Sequence, residues 1–260
     1  MDMQGGVAIV TGSSSGVGAA CAKRLAERGA HLVINYASNR DGAEATREAC
    51  EAFGIETRIV QADVANDDDC RRMAKVAEET WGRCDALVNN AGTTVFCPLN
   101  DLEGLSSTDF QDIYAVNTIG AFQMSRAAAP IMRRGGRGSI VMVASIAGVL
   151  GIGSSIAYAA SKGAMITLTK ALARVLGPEI RVNVVCPGFI QGEWLRQGMG
   201  DAVYEASKNA IERTTPLGRT STPDTVADSV LTFIESNDLV TGESLILDAG
   251  MHLTGMPTAR

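Results

Sequence analysis

Histidine is scarce in this chain, where His31 and His252 are the only two among 260 residues. Six cysteines are present, but none forms a Cys-x-x-Cys pair. Zinc sites and Ser-His-Asp triads need such groups at characteristic spacings. The sequence therefore predicts no metal site and no histidine-dependent hydrolase. Scattered cysteines in a chain of this length are typical of reduced, packed thiols in a cytoplasmic protein.

Positive charge is also in short supply, with 23 Lys and Arg against 29 Asp and Glu, a net charge of −6. Nucleic acids and anionic membrane surfaces attract basic proteins, so neither is an expected partner. The most apolar stretch, residues 139–153, is interrupted by serine and glycine and is shorter than the roughly 20 residues of a membrane span. The first residues, MDMQGGVAIVTG, lack the basic start of a secretory signal. We expect a soluble cytoplasmic protein.

What the chain does contain is a regular alternation of short apolar runs with helical stretches. Seven runs rich in β-branched residues predict strands starting at positions 7, 31, 57, 86, 139, 181 and 244. The predicted helices between them cover residues 18–29, 42–54, 67–82, 107–136 and 156–177. Apolar runs without polar alternation are typical of parallel strands buried on both faces. The prediction is an α/β fold with a doubly wound, seven-stranded parallel sheet, in a single domain spanning residues 1–260.

Residues 188–217, between the last two predicted strands, depart from this alternation. Their length and mixed composition predict a mobile lid over a pocket. Five apolar or aromatic residues are candidates for the wall of that pocket, although each also suits ordinary packing: Phe96, Ile152, Trp194, Met199 and Tyr204.

A glycine-rich segment, TGSSSGVG at residues 11–18, follows the first predicted strand and leads into a helix. Glycines let a backbone approach a pyrophosphate closely, and the amides at a helix N-terminus stabilise its charge. The segment therefore predicts a dinucleotide site. The contacts expected from it are Gly12, Ser14, Ser15, Gly16, Val17 and Gly18.

The second predicted strand ends without the acidic residue that would bind an adenosine ribose through both of its hydroxyls. Tyr36, Ser38, Asn39 and Arg40 stand there instead, and a cation with hydroxyl and amide donors suits a 2′-phosphate. NADP is therefore favoured over NAD, with an Arg40 that points to solvent as the alternative. Further cofactor contacts are expected at later strand ends, namely Asp63, Val64, Asn90, Ala91 and Gly92.

These motifs occur in order with Asn117, Ser145, the pair Tyr158 and Lys162 in YAASK, and a Pro-Gly at residues 187–188. In this the chain resembles a classical short-chain dehydrogenase/reductase, in particular the 3-oxoacyl-carrier-protein reductases. The resemblance implies a Rossmann-type fold and hydride transfer between NADP(H) and a carbonyl or secondary alcohol of a small or medium organic substrate. It also implies cofactor contacts from Pro187, Gly188 and Ile190, besides Tyr158 and Lys162. A homotetramer is implied too, through helices at residues 111–132 and 156–176 and with the tail at 251–260.

Tyr158 and Lys162 lie one helical turn apart, so their side chains share a face. A phenol has a pKa of about 10, and a neighbouring ammonium is expected to lower it. Tyr158 is thus the predicted general acid and base, and Ser145 the predicted hydrogen-bond donor to the carbonyl oxygen. By resemblance, Asn117 organises a proton-relay water; an asparagine that merely faces solvent is the alternative.

The sequence departs from the family pattern at Gly192, where the family often has a threonine that contacts the nicotinamide carboxamide. That contact is expected to be missing, with Gln191 as a possible substitute. Three functional alternatives stay open: a catalytically silent NADP-binding regulatory protein, a sugar-nucleotide epimerase or dehydratase, and a 3-oxoacyl thioester reductase as the specific substrate class. For the last, a basic rim facing an acidic carrier protein has three candidates, Arg133, Arg134 and Arg174.

Overall fold

The computed structural model of the chain describes residues 1–235 and 238–254, which contain a seven-stranded sheet. Its strands are Val7–Val10 (β1), His31–Tyr36 (β2), Thr57–Gln61 (β3), Ala86–Asn89 (β4), Gly138–Val143 (β5), Ile180–Pro187 (β6) and Ser244–Leu247 (β7). They are arranged in the order β3-β2-β1-β4-β5-β6-β7, and every neighbouring pair is parallel. The predicted fold class, a doubly wound Rossmann-type sheet, is confirmed.

Helices cover both faces of this sheet. They are Gly16–Ala26 (α1), Arg40–Glu51 (α2), Asp67–Trp81 (α3), Ser107–Tyr114 (α4), Ala121–Arg134 (α5), Ala147–Leu150 (α6), Ile156–Leu176 (α7), Glu193–Met199 (α8), Asp201–Thr214 (α9) and Pro223–Glu235 (α10). A π-helix at Ala115–Gly120 joins α4 to α5, and a 3₁₀ turn, Met251–Leu253, follows β7. Among the described residues, none of these helices combines the length and the apolar character that crossing a lipid bilayer requires.

The apolar runs lack polar alternation because the central strands are buried on both faces. Ile9 of β1 and Leu87 of β4 pack into one core with side chains of α3, α5 and α7. Val10 and Val88, the next residues along the same strands, pack into the other core with α1 and α10. Burial of each large aliphatic side chain contributes about 1.5–3 kcal/mol. A one-residue slip in register would still leave apolar groups inside, so the turns and caps must fix the register.

Helix ends are set by residues recognisable in the sequence. Thr222 caps α10 by accepting a hydrogen bond from the Thr225 amide at 3.3 Å, and Pro223 takes the first helical position. Helix α7 ends at Leu176, directly before Gly177. At its start, the Ser155 hydroxyl accepts from the Tyr158 amide at 3.2 Å. This cap fixes where α7 begins and therefore where Tyr158 stands.

Two segments differ from the sequence prediction. The single helix predicted over residues 107–136 is interrupted by the π-helix at 115–120, whose wider turn reorients the side chains that it carries. The lid region, expected to be the least regular part of the chain, consists largely of α8 and α9. Apolar periodicity did not reveal α8, because it has seven residues and none of them is buried.

The chain direction across the sheet reverses between β1 and β4, which pair side by side. In open α/β sheets, a crevice forms beyond the carboxyl ends of the strands at such a switch point. The glycine turn after β1 and the Asn90-Ala91-Gly92 segment after β4 therefore meet at the same edge.

Candidate active site

Side chains from β2 and from the segment after β4 hold the glycine turn in place. The amide group of Asn90 donates to the carbonyl oxygens of Thr11 and Gly12, at 2.9 and 3.1 Å. On the other side, the Gly12 amide donates to the side-chain oxygen of Asn35 at 2.9 Å. The Thr11 hydroxyl in turn accepts from the amides of Asn90 and Ala91, each at 3.0 Å. The turn is thus bonded to both β2 and β4.

The N-terminus of α1 has the properties of an anion site. Its N-cap, Ser15, makes no side-chain capping bond, and no acidic residue occupies the first turn. Gly18 is required there, because a Cβ at this position would lie 2.3 Å from the Gly12 carbonyl oxygen. Helix amides without a capping acceptor carry partial positive charge that favours a phosphate. These residues, with Ser14, Gly16 and Val17 beside them, fit the pyrophosphate of a dinucleotide.

The end of β2 carries the groups predicted for a 2′-phosphate. Tyr36 is buried, whereas Ser38, Asn39 and Arg40 are exposed. Asn39 caps α2 by accepting from the Gly42 amide at 3.0 Å, so its side-chain oxygen already has a structural role. The guanidinium of Arg40 lies 3.9 Å from Glu44, and its side chain is 73% exposed. Such an exposed pair is weak, so little holds Arg40 away from a phosphate.

Asp63 and Val64, both expected near an adenine, differ in their environments. Asp63 follows β3 and is exposed, with one carboxylate oxygen accepting from the Ala65 amide at 2.9 Å. Val64 is buried in the core, and its carbonyl oxygen accepts from the side chain of Gln123 at 2.8 Å. Asp63 therefore faces the edge where a base would lie, while the side chain of Val64 serves packing.

Tyr158 and Lys162 lie on one face of α7, beneath the carboxyl end of β5. The Lys162 ammonium is buried and donates to the carbonyl oxygen of Val143 at 2.9 Å. It lies 5.7 Å from the centre of the Tyr158 ring. Ser145, two residues after β5, lies near enough to influence the phenol of Tyr158, and its hydroxyl accepts from the Ala147 amide at 3.1 Å.

The charges of this pair differ from the sequence expectation. Burial raises the pKa of Tyr158 to about 12, and the hydrogen bond with Ser145 acts in the opposite direction. Burial lowers the pKa of Lys162 from 10.5 to about 8, partly opposed by the nearby thiol of Cys186. Removal of water from around the phenolate thus dominates in the protein alone. The expectation that Lys162 lowers the pKa of Tyr158 stays a prediction.

Asn117 is fully buried within the π-helix. Its side-chain oxygen accepts from the Thr93 amide at 2.8 Å, and its amide group donates to the Thr93 carbonyl and the Ser161 hydroxyl, each at 3.0 Å. The alternative of a solvent-facing asparagine is wrong. Asn117 instead joins the segment after β4 to α7, next to Lys162.

Gly92 brings the nucleotide and catalytic parts of the site together. The position that a Cβ would take on Gly92 lies 3.3 Å from the Asn117 side-chain oxygen and 3.5 Å from the Lys162 ammonium nitrogen. The structure thus places Asn117, Ser145, Tyr158 and Lys162 at one end of the crevice that starts at the glycine turn. This arrangement combines a proton donor, a hydrogen-bond donor to oxygen and a buried cation.

Comparison with known proteins agrees with this geometry. The family model described as enoyl-(acyl carrier protein) reductase matches residues 12–252. A protein assigned as ketoacyl reductase 2 of the granaticin polyketide synthase from Streptomyces violaceoruber is 40% identical over 247 residues, 95% of this chain and 96% of its own. The structure of a protein from Burkholderia xenovorans, described as a short-chain dehydrogenase/reductase, aligns with a TM-score of 0.89 at 38% identity, covering 96% and 98% of the two chains. The chain belongs to the short-chain dehydrogenase/reductase family.

A further relative of this short-chain dehydrogenase/reductase is the 3-oxoacyl-[acyl-carrier-protein] reductase of Staphylococcus aureus strain Mu50, 34% identical over 249 residues, 95% of this chain and 98% of its own. The predictions of family and of enzymatic activity are confirmed. The protein is an oxidoreductase of a family that uses nicotinamide cofactors.

The loop after β6 of this short-chain dehydrogenase/reductase shows why glycine replaces the usual threonine. Gly192 has a φ of 152°, a conformation that strains any residue with a side chain. Its amide donates to the Tyr204 hydroxyl at 3.2 Å. The amide group of Gln191 donates to the Thr220 hydroxyl at 2.9 Å, which directs this side chain to a structural partner.

The other cofactor contacts predicted after β6 are held by backbone bonds. The Pro187 carbonyl oxygen accepts from the Ile146 amide, and the Gly188 amide donates to the Leu247 carbonyl, each at 2.8 Å. Ile190 forms a parallel bridge with Ser221. These bonds fix the carboxyl end of β6 beside Ser145.

One of the five predicted pocket-wall residues, Trp194, lies next to Tyr158, and a second, Phe96, lies next to Trp194. The ring centre of Trp194 is 6.2 Å from that of Tyr158 and 6.0 Å from that of Phe96. Tyr204 is instead buried, 5.2 Å from Phe189. The remaining two candidates, Ile152 and Met199, are partly buried.

The proposed basic rim does not border the cleft of its own chain. Arg133 and Arg134 end α5, which leads into the amino end of β5, and Arg174 is near the end of α7, which leads into β6. They therefore lie at the sheet edge opposite the site. Arg134 forms an ion pair with Glu78, and Arg133 donates to the Val175 carbonyl at 2.8 Å.

The sequence analysis missed several residues that support the site. Asn35 anchors the glycine turn from within β2, where its backbone amide also donates to the Ser13 hydroxyl at 2.9 Å. A polar residue inside an otherwise apolar strand was the available signal. Thr93 and Ser161, which bind Asn117, left no comparable signal because small hydroxyl residues suit many environments.

Proposed function

We propose that this protein is an NADP(H)-dependent carbonyl reductase and alcohol dehydrogenase acting on small or medium organic substrates. The observation that carries the proposal is the meeting of Ser145, Tyr158 and Lys162 at the end of the crevice that begins at the glycine turn. When bound, the nicotinamide supplies the hydride in reduction and takes it up in oxidation. Ser145 and Tyr158 then act on the substrate oxygen.

In reduction, the Ser145 hydroxyl donates to the carbonyl oxygen, and the Tyr158 phenol transfers its proton to that oxygen. A pKa of about 12 keeps the phenol protonated at neutral pH, as a proton donor requires. The phenolate left behind faces the Lys162 ammonium, 5.7 Å from its ring centre. A neighbouring ammonium stabilises the phenolate relative to the neutral phenol. Oxidation reverses these transfers.

Asn117 holds the Thr93 backbone and Ser161 next to Lys162, which supports a relay role in returning the proton to the phenolate. A proton taken up from solvent would pass by a water at this position to Lys162. The bonds of Asn117 fix the walls of that path, because each of them joins two different elements.

Preference for NADP over NAD rests on Arg40. Its guanidinium is exposed, is weakly paired with Glu44, and follows a strand that ends without an acidic residue. The proposed cofactor contacts are Gly12, Ser14, Ser15, Gly16, Val17, Gly18, Tyr36, Ser38, Asn39, Arg40, Asp63, Val64, Asn90, Ala91, Gly92, Tyr158, Lys162, Pro187, Gly188 and Ile190. For Tyr36 and Val64, whose side chains are buried, the backbone would make the contact.

A substrate panel tests this function. Purified protein is mixed with NADPH or NADH and with a simple ketone, a 3-oxoacyl thioester or a 2-enoyl thioester, and cofactor oxidation is followed by absorbance. We expect NADPH oxidation with at least one carbonyl substrate. Oxidation with the enoyl thioester alone would move the reaction to the C=C bond, in line with the description of the matching family model. Cofactor binding without oxidation across the panel would support the silent regulatory alternative.

We propose that the enzyme assembles as a homotetramer through α5 and α7. Phe122 of α5 and Val175 of α7 are exposed by 39% and 64%, and they line a common groove with Pro130 and Leu172. Exposed apolar surface of this kind favours contact with another copy. The tail expected at this interface falls mostly outside the described residues, since positions 255–260 are not among them. Sedimentation of the wild type and of Val175→Glu tests the proposal.

We further propose that residues 1–260 work as one domain in which residues 188–217 form the substrate lid. The lid helices pack through Tyr204, which contacts Phe189 and Gly192 at the end of β6. A cytoplasmic location is proposed because all six cysteines are buried, free thiols, which suits a reducing compartment.

A further inference from the structure

Two aromatic side chains, Trp194 beside Tyr158 and Phe96 beside Trp194, form a pair that we call the aromatic wall. Trp194 is 50% exposed and Phe96 is 36% exposed. Their ring centres are 6.0 Å apart, and that of Trp194 is 6.2 Å from Tyr158. A gap of this size between tilted rings does not admit a third ring, so a ligand would lie on their outer surfaces.

The aromatic wall is held firmly from two sides. A Cβ on Gly198 would lie 2.0 Å from the Phe96 ring, so this ring packs directly onto α8, one turn after Trp194. The chain on either side of Phe96 is bound to Ser154, through the Thr94 hydroxyl at 2.7 Å and the Cys97 amide at 2.8 Å. The two rings therefore keep their positions relative to Tyr158.

Further apolar side chains are exposed close to Ser145 in the chain, and the cation of α8 is already paired. Val149 and Leu150 of α6, which follow Ser145 closely, are exposed by 42% and 43%. Arg196 of α8 forms ion pairs with Asp201 and Glu205. Its guanidinium carbon also lies 4.2 Å from the ring centre of Tyr204. Its charge is therefore directed toward α9 and away from Trp194.

We propose that the aromatic wall binds a planar apolar ring of the substrate, so that preferred substrates are ketones with an aromatic ring a few bonds from the carbonyl. This inference rests on the proposed carbonyl reductase activity and narrows its substrate class. When the substrate carbonyl lies at Tyr158, the substrate's aromatic ring can lie against Trp194 in an edge-to-face or offset arrangement. A saturated ring makes such contacts less well. Such contacts correspond to roughly two- to tenfold in affinity.

The test compares benzylacetone with its counterpart in which the phenyl ring is saturated to cyclohexyl. The carbonyl is not conjugated with the ring in either compound, so the two ketones have similar intrinsic reactivity. We expect kcat/KM with NADPH to be roughly two- to tenfold higher for benzylacetone, mainly through KM. Equal values for the two ketones would overturn the proposal.

Variants locate the preference. Trp194→Ala and Phe96→Ala are each expected to raise KM for benzylacetone and to remove its advantage, whereas Trp194→Phe keeps part of it. Phe53→Ala is the matched control, because Phe53 is 45% exposed and lies between α2 and β3, at the opposite edge of the sheet. A preference that survives both cleft alanine variants would also overturn the proposal.

Binding is measured independently of turnover. The chain has two tryptophans, so Trp81→Phe leaves Trp194 as the sole indole. With NADP⁺ present, we expect benzylacetone to quench its fluorescence at lower concentration than the saturated ketone does. Selective quenching without turnover of any ketone would reject the carbonyl reductase function and retain the aromatic wall. Turnover of ketones without selective quenching or preference would reject the wall alone.

Discussion

The Lys162 ammonium donates its hydrogen bond to the carbonyl oxygen of Val143, at 2.9 Å, and not to the Tyr158 side chain. Helix α7 is thereby joined to the last residue of β5, and a buried cation lies under the phenol. Because burial brings the pKa of Lys162 down to about 8, the ammonium is charged at neutral pH and loses its proton in mildly alkaline solution.

The first prediction concerns stability against pH. Folding lowers the pKa of Lys162 from 10.5 to about 8, so the neutral amine favours the folded state. This contribution to the unfolding free energy is fully present above pH 10.5 and is lost as pH falls through about 8. We expect the unfolding free energy of the wild type, relative to Lys162→Met, to rise by ~2 kcal/mol from about pH 7 to about pH 9.5. Urea denaturation at both pH values measures it.

The comparison with Lys162→Met is needed because other groups titrate in the same range. Burial raises the pKa of the Cys186 thiol to about 11, so this cysteine costs stability as pH rises above 9. Lys162 lowers the pKa of this thiol, but the thiol stays protonated in both folded proteins up to about pH 9.5, so its contribution cancels in the difference. A difference that stays constant with pH would show that Lys162 keeps an ordinary pKa.

The second prediction tests the proton donor. Tyr158→Phe removes the acidic proton and keeps the ring that contacts Trp194, so kcat should fall by about 10²–10⁴-fold while NADPH affinity changes little. Stopped-flow turnover and cofactor fluorescence titration measure the two quantities. In the Tyr158→Phe variant, the further change Ser145→Ala should reduce kcat much less than Ser145→Ala does in the wild type, because the two hydroxyls act on the same substrate oxygen. Full turnover by Tyr158→Phe would assign the proton to another group.

The third prediction concerns cofactor choice. Arg40→Glu replaces a cation by an anion at the proposed 2′-phosphate contact, and NADPH should bind about 10- to 100-fold more weakly with little change for NADH. Arg47→Glu is the matched control, since Arg47 lies two turns further along α2 and pairs with Glu44 and Glu51. Equal losses for the two cofactors would exclude a phosphate contact by Arg40.

The fourth prediction uses a strained backbone position. Ala249 has a φ of 58°, and its carbonyl oxygen accepts from the Leu217 amide at the end of the lid region. A left-handed conformation costs a residue with a side chain about 1–2 kcal/mol, and glycine avoids this cost. Part of the gain is offset because glycine has more conformational freedom in the unfolded chain. Ala249→Gly should therefore raise the unfolding free energy by about 0.5–1 kcal/mol.

The same substitution at Ala45 provides the control for this prediction. Ala45 is exposed in the middle of α2, where glycine should lower the unfolding free energy by about 1 kcal/mol. Chemical denaturation of both variants gives the comparison. A loss of stability at both positions would mean that the conformation of Ala249 is not strained.

The sheet and the nucleotide turn could be predicted because their signals are local. Uninterrupted apolar runs arise from burial on both faces, and glycine appears where the backbone comes too close for a side chain, as at Gly18. The ordered polar motifs likewise identified the candidate catalytic residues. Their roles in the reaction, and those of the cofactor contacts, remain predictions that the experiments above address.

The remaining features depend on three-dimensional environment. The π-helix at 115–120 leaves the apolar pattern of its segment intact, since only its hydrogen bonding changes. The pKa of Tyr158 depends on how much water the fold removes, which a four-residue spacing to Lys162 does not reveal. The conformation of Gly192, with its φ of 152°, likewise does not follow from the sequence.

The anchoring of the glycine turn has a consequence for how a nucleotide would be captured. Asn35 of β2 and Asn90, directly after β4, hold the Thr11–Gly12 backbone through side-chain hydrogen bonds that the protein makes by itself. The proposed receptor for the phosphates is therefore preorganised. Little conformational entropy is lost when ligand arrives, so affinity depends chiefly on the contacts formed and association should proceed without a slow rearrangement of the loop.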